Sequence, residues 1–323
     1  MRQLTRARPP RSLGALDTLA EQVAVVLNDA DTGPLPAVLS VTAADHGVAR
    51  NEISRFSYGT TSSVFSLITS GDAPINHLAA HVPARVEAAD FGLADTVRTR
   101  EYKVANGTED LSRRDAMSVE QARASILNGV AFAEERLLQD CSAVGVGEIG
   151  VGNTTSAAAL TARLLGLSGT SVVGSGVGAS PATVERKSRL VEVALQRTVN
   201  YPDDPLRLLA ALGGFEICGN IGVILGAARA GRIIVLDGFI TGVAAVLATR
   251  LCPAVAGYLV AAHRSAEPGH QFVLDELELR PLLDLGMRLG MASGAAVALG
   301  MINAVLAVCA DTPAAAKVGL VTP

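Results

Sequence analysis

SAVGVGEIGVGNTTSAAALTARLL, residues 142–165, changes character twice within one short span. Its first six residues alternate small and β-branched side chains, the habit of a buried strand, and end at Glu148. A Gly/Asn/Thr loop follows, and from Ser156 to Leu165 the Ala- and Leu-rich text reads as a helix. The same strand, turn and helix order recurs on both sides. AVLSVTA (37–43) ends at Asp45-His46-Gly47, and Val172-Val173 runs into Gly174-Ser175-Gly176-Val177-Gly178. Residues 233–236 end at Asp237-Gly238, and 258–262 end at His263. This repetition predicts an α/β fold, a parallel Rossmann-like sheet flanked by helices. Five polar strand ends then define one rim, because functional groups of open parallel sheets collect beyond the carboxyl ends of the strands.

The chain ends lack the strand pattern. Residues 13–28 read as an amphipathic helix behind the stiff Arg8-Pro9-Pro10-Arg11, and 276–308 read as two helices around 290–294. The expectation is a core over 36–270 and a smaller helical lobe built from 1–35 and 271–323. Arg2, Arg6, Arg8 and Arg11 resemble a transit peptide superficially, but Asp17 and Glu21 interrupt the apolar stretch a secretory signal needs. The uncharged stretch 289–310 is long enough to cross a bilayer. Its Ala, Gly, Ser and Asn content favours a buried helix instead, so no membrane is expected as a partner.

Composition narrows the function. Against 31 Asp+Glu the 323-residue chain sets 27 Lys+Arg, a net charge of −4, which argues against a nucleic-acid partner. Hydrophobic residues make up 49% and aromatic ones 3%, without Trp, so Ala, Val, Leu and Ile must fill the core and a base-stacking platform is disfavoured. Cys141, Cys218, Cys252 and Cys309 show no metal or redox spacing and read as reduced thiols of a cytoplasmic protein.

Two stretches suggest chemistry. GSGVGAS (174–180) precedes a helix whose start is marked by Ser180 as N-cap and Pro181 as first residue. Its glycine amides suit one phosphate group, with Lys187 two turns on as a point charge, although such loops are often only tight turns. Neither G-x-G-x-x-G nor GK[ST] occurs, so no dinucleotide or P-loop site is expected. In GEIGVGNTTSAAAL (147–160), Thr154 or Thr155 reads equally as a simple helix cap. Glu148 beside a nest of amides can bind sugar hydroxyls or offset positive charge developing in a transition state. His263, Glu267 and His270 can be scanned as metal ligands, but the Pro268-Gly269 turn opposes that, and neither metal nor cofactor is expected. Asp45, His46 and Asp237 are polar strand ends that fix a loop as readily as they act on substrate. No G-x-S-x-G elbow is present.

Taken in order, several blocks resemble the nicotinate-nucleotide:5,6-dimethylbenzimidazole phosphoribosyltransferase family, which makes the lower-ligand nucleotide of cobalamin. RPPRSLGALDTLA (8–20) is similar to its KPPGSLGxLExLA, and AADHGV (43–48) to its ADHGV. GVGEIGVGNTTSAAA (145–159), GGFEICGNIGVILGAARAG (213–231), VLDGFI (235–240), HRSAEPGH (263–270) and LLDLGMRLG (282–290) with SGAA (293–296) follow in the family's order. The resemblance implies a transfer of phosphoribose from nicotinate mononucleotide to an aromatic base, releasing nicotinate and forming an α-ribosyl phosphate. It implies Glu148 as the first essential glutamate and Lys187 as the phosphate-side lysine. Gly150, Gly152, Asn153, Thr154, Gly174, Gly176, Gly178, Asp237, Ser265, Gly290 and Ser293 would bind substrate, and Ser57, Val64, Leu289 and Met291 would line the acceptor pocket.

The acceptor half departs from the family. Its RLGEGSGAA reads RLGMASGAA here, so Met291 stands where the family's glutamate takes the proton of the attacking imidazole, and a thioether cannot accept it. The family's V-[ST]-x-x-P segment and base-lining glutamine become SRFSYGTTSSVF (54–65), with Val64 at the glutamine's place. The preferred reading is transfer by a dimer to an aromatic acceptor, benzimidazole-like or altered, with a base supplied elsewhere or not needed. The alternatives are a subunit that needs a glutamate-bearing paralogue, as in a heterodimer, and a protein that only binds the mononucleotide.

Overall fold

The computed structural model describes residues 6–95 and 101–319. Arg2 and the outermost residues of both chain-end segments lie outside them. Five strands, β1 (Ala37–Ala44), β2 (Ala84–Gly92), β3 (Ala143–Ile149), β4 (Ile233–Leu236) and β5 (Leu259–Ala261), form one parallel sheet in the order β2-β1-β3-β4-β5. The chain direction of travel reverses between β1 and β3, so the carboxyl ends of these two strands open a crevice. Asp45-His46 and Glu148 stand at its sides.

Among the described residues twelve α-helices surround the sheet: α1 (Ala15–Leu27), α2 (Thr61–Ser70), α3 (Pro74–Ala79), α4 (Val119–Phe132), α5 (Asn153–Leu165), α6 (Gly169–Val172), α7 (Pro181–Thr198), α8 (Pro205–Leu212), α9 (Phe215–Arg229), α10 (Phe239–Leu251), α11 (Gly269–Glu276) and α12 (Ser293–Asp311). β1 and β3 are buried at every residue, which is why neither shows the polar alternation of a one-sided strand. Leu39, Val41 and Ala43 pack with α1, α2, α3 and α12, whereas Val38, Val144 and Val146 point into the opposite layer with α4, α5, α8, α9 and α10. α12, apolar enough by length and composition to span a bilayer, buries Ala298, Leu299 and Ile302 in the first layer.

Glycine brings α4 and α9 together at backbone distance. A Cβ on Gly222 would fall 2.1 Å from the Ile126 carbonyl oxygen, and one on Gly129 would fall 2.1 Å from that of Gly219. Neither partner is a flexible side-chain end, so the helices themselves must part. Gly222→Ala is expected to lower stability by about 3 kcal/mol, read as the shift of a urea unfolding curve.

Four of the five strand ends read from the sequence are strand ends in the structure. Val172-Val173 is not: Val172 closes the single turn α6, and the glycine loop joins two helices. Two β-branched residues are too few for a ladder, and Gly169 is held by its amide's 2.6 Å bond to Glu192 Oε1 at the start of that turn. The strand missed is β2, an edge strand whose Arg85 and Glu87 face outward, the charges that protect an edge and erase its apolar signature. The first of the two helices expected over 276–308 is also absent. After α11 the chain runs extended beside β5, with the Leu282 and Leu283 amides donating to Ala261 and Ala262 carbonyls. Pro281 and Gly286, the latter at φ 64°, prevent a helix there. The helix read over 13–28 is α1, and Arg8 beside it pairs with the buried Asp17 at 2.5 Å.

Candidate active site

A cavity of about 650 Å³ lies beyond the carboxyl ends of β3, β4 and β5, a size suited to a small-molecule substrate. Of the residues expected at a site, Glu148, Gly150, Gly152, Asn153, Thr154, Gly176, Lys187, Asp237, Ser265 and Gly290 line it together. Val64, Leu289 and Met291 line it too, joined by Phe56, Ile149, Phe239 and Ile240, so one part of the wall is apolar. Four expected residues do not line it. Gly174 sits behind the wall, Gly178 on the rim, and Ser293 is buried with its hydroxyl lacking a protein partner. Ser57 is exposed and pairs with Thr60.

Glu148 is the penultimate residue of β3 and is 6% exposed. Asn153, in the first turn of α5, donates through Nδ2 to Glu148 Oε2. The other oxygen, Oε1, would lie 3.5 Å from a Cβ on Gly290. Burial first, then the negative charges of Glu216 and Asp237, push the Glu148 carboxyl well above the ordinary carboxylate range. Gly152, at φ 98°, occupies the N-cap of α5. Neither threonine caps that helix, and Thr154 is left free to turn its hydroxyl to Lys187.

Lys187 reaches in from α7 and is 2% exposed. Its Nζ donates to the Gly174 carbonyl at 2.8 Å and to Thr154 Oγ1 at 3.1 Å. Burial lowers its pKa, and Glu267 opposes that. The glycine loop is stabilised from within: the Gly178 and Ala179 amides donate to the Ser175 carbonyl, and the Gly176 amide to Glu267 Oε1 at 2.6 Å. Glu267 thus serves the loop. Among the described residues no cluster of three or more His, Cys, Asp or Glu is gathered for a metal. Burial also pulls His270 down to about 3, so its neutral ring accepts the Ser265 amide at Nδ1.

Asp237, at the end of β4, is spent on backbone. It accepts from the amides of Gly294 at 2.6 Å, Ala292 at 3.1 Å and Ala295 at 3.3 Å, thereby capping α12 from a distance. These bonds hold Gly290, Met291 and Ala292 in three consecutive left-handed conformations, φ 75°, 59° and 63°. The Met291 amide donates to the Glu148 carbonyl at 3.2 Å. Gly147 is what lets this loop approach β3, since a Cβ there would lie 2.2 Å from the Ala292 nitrogen.

Sequence reasoning passed over the Glu216–His46 pair. It is fully buried at 2.7 Å under the Glu148 floor, with His46 Nδ1 and Glu216 Oε2 lacking partners. His46 was visible as a strand-end residue, while Glu216 lay inside a helix and gave no signal. Arg55 and Arg288 were also unassigned, although both line the cavity.

A phosphoribosyltransferase family model, DBI_PRT, matches residues 1–319. The chain is 40% identical over 324 residues to a nicotinate-nucleotide–dimethylbenzimidazole phosphoribosyltransferase of Chloroflexus aurantiacus, covering 99% of this chain and 92% of the relative. It is 41% identical over 308 residues to the protein of the same name from a Roseiflexus species, covering 94% and 87%. The crystal structure of CobT from Thermus thermophilus superposes with a TM-score of 0.94 at 33% identity, over 100% of this chain and 97% of that one. With one family matched from end to end in both sequence and fold, the chain belongs to the DBI_PRT phosphoribosyltransferases.

Proposed function

We propose that the protein moves the 5-phosphoribosyl group of nicotinate mononucleotide to a ring nitrogen of an aromatic acceptor, releasing nicotinate. The carrying observation is a buried carboxylate, Glu148, sharing one cavity with a buried lysine, Lys187. The C1′–N bond breaks with its electron pair passing to the pyridinium nitrogen, so nicotinate leaves with a neutral ring nitrogen. Positive charge spreads over C1′ and the ring oxygen of the sugar, and ionised Glu148 stabilises it in a low-dielectric wall. Lys187, with Thr154 and the loop at Gly176, takes the 5′-phosphate. An acceptor nitrogen then bonds to C1′ from the opposite face, giving the α-ribosyl phosphate.

The apolar wall at Val64, Leu289 and Met291 supports an aromatic acceptor. Since Met291 accepts no proton, the acceptor is one whose displaced proton can leave without a base at that position. The chain-end segments 1–35 and 271–323 complete this acceptor side. The same reading includes a dimer, with itself or with a paralogue, and a cytoplasmic site of action. The free, buried thiols of Cys141, Cys218 and Cys309 support that location.

Isothermal titration with nicotinate mononucleotide tests the donor half. The wild-type chain is expected to bind it, and Lys187→Met to weaken binding about 10- to 100-fold through loss of a charged hydrogen bond. Silence of the wild-type protein would remove the proposal.

A further inference from the structure

Three segments meet at the cavity mouth, and each brings an apolar side chain into solvent: Phe56 (51% exposed), Val177 (45%) and Leu289 (45%). Two of these segments also bring an arginine, Arg55 beside Phe56 and Arg288 beside Leu289. A Cβ placed on Gly178 would lie 3.5 Å from Arg55 Nη1 and 3.9 Å from Arg288 Nη2, so the two guanidinium groups converge on one point of the rim. Among the described residues neither has an ion-pair or hydrogen-bond partner. Like charges drawn together without a carboxylate repel one another, and here they share that point with exposed apolar surface. Such a combination matches a flat apolar ring carrying an anionic substituent: the ring covers the side chains and the anion receives the guanidinium forks.

We propose that Arg55 and Arg288 form a subsite for the carboxylate of an aromatic acid, distinct from the Lys187 site. This rests on the phosphoribosyl-transfer reading above and deepens it. The proposed donor carries two anionic groups, a 5′-phosphate and a pyridine carboxylate, and the cavity offers two cationic positions on either side of the Gly176–Val177–Gly178 turn. Lys187 is buried and close to Gly176, where a Cβ would lie 3.7 Å from its Nζ, whereas the arginines stand at the exposed rim beside Gly178. A phosphate held at the deep position leaves the shallow one for the ring's carboxylate. The subsite therefore selects the acid form of the leaving pyridine over its amide. An acceptor bearing a carboxylate would use the same chemistry.

The test is calorimetric binding of nicotinate mononucleotide and nicotinamide mononucleotide to the wild-type chain and to Arg55→Gln, Arg288→Gln and the double variant. A parallel arm measures by the same calorimetry the Kd of benzimidazole and of benzimidazole-5-carboxylate. The expected result is tighter wild-type binding of the acid ribotide, with the acid-to-amide affinity ratio falling about tenfold in the double variant, a moderate effect because the groups are solvated. A collapse of the carboxylate preference in the acceptor arm alone would assign the same subsite to the acceptor. Unchanged ratios in both arms overturn the proposal and leave the arginines as a solvated rim. If neither ribotide binds the wild-type chain, the donor reading fails instead, and the subsite stands or falls on the acceptor pair.

Discussion

Glu148→Gln is expected to slow nicotinate release by about 100- to 1,000-fold while leaving the Kd for nicotinate mononucleotide little changed. The amide keeps the shape and can still face Asn153, but it carries no charge to set against the developing oxocarbenium. A defect in kcat with binding preserved marks an interaction made mainly in the transition state. The pH profile follows from the raised carboxyl. Glu148 must be ionised to act, so wild-type kcat/KM should climb with pH through a value above the ordinary carboxylate range, and that limb should vanish in the variant. Glu216→Gln removes one of the charges that raise it, so the limb should move to lower pH.

Stability should move the other way. A carboxyl that holds its proton more tightly folded than unfolded favours folding in acid, and that contribution is lost as pH rises from the unfolded value through the folded one. Burial of Glu148 with Glu216 and Asp237 is therefore unfavourable at neutral pH. Glu148→Gln should raise the melting temperature at pH 7 and lose that advantage below about pH 4, near the unperturbed glutamate value. A variant that is less active and more stable is the expected mark of a charge buried for catalysis. Equal or lower stability at pH 7 would contradict it.

Met291→Glu has the second large effect. With 5,6-dimethylbenzimidazole as acceptor the wild-type chain should turn over slowly, and the substitution should raise the rate by about 100- to 10,000-fold, the usual contribution of a positioned base. Met291 already occupies the cavity wall in a left-handed conformation, and the backbone there is fixed by Asp237 and by the Glu148 carbonyl rather than by the thioether. Glutamate can enter without moving the loop. Ala292 is the companion problem: at φ 63° an L-residue is unfavourable by about 1 kcal/mol, and Ala292→Gly should return that amount in unfolding experiments. Combining both substitutions should give the larger rate. Fast turnover of dimethylbenzimidazole by the unaltered chain would show that its proton leaves by another route.

The relative legibility of the site follows from which of its features are local. β1, β3, β4 and β5 could be read because their β-branched runs stop at polar residues, Glu148 with Gly150 and Gly152 because they sit in one short family block, and Lys187 because it follows a glycine-rich loop two turns into a marked helix start. Val172-Val173 misled because a β-branched pair is equally at home ending a buried helical turn, and β2 escaped because Arg85 and Glu87 interrupt its apolar run. The family blocks also placed Asp237 in the site, but not its task of capping α12, since that bond spans 57 residues of chain.

The amino-acid sequence by itself determined the parallel sheet, the glutamate near the end of β3 and the methionine in RLGMASGAA, since each is written in adjacent residues. Only the tertiary structure decided that burial, with Glu216 and Asp237 nearby, raises the Glu148 carboxyl, that Asp237 anchors the backbone just after Met291, and that Arg55 and Arg288 face one rim. Those relations depend on burial and on convergence of segments far apart in the chain. Local periodicity reports which face of an element is apolar, but the field acting on a charge is set by what the sheet order brings beside it.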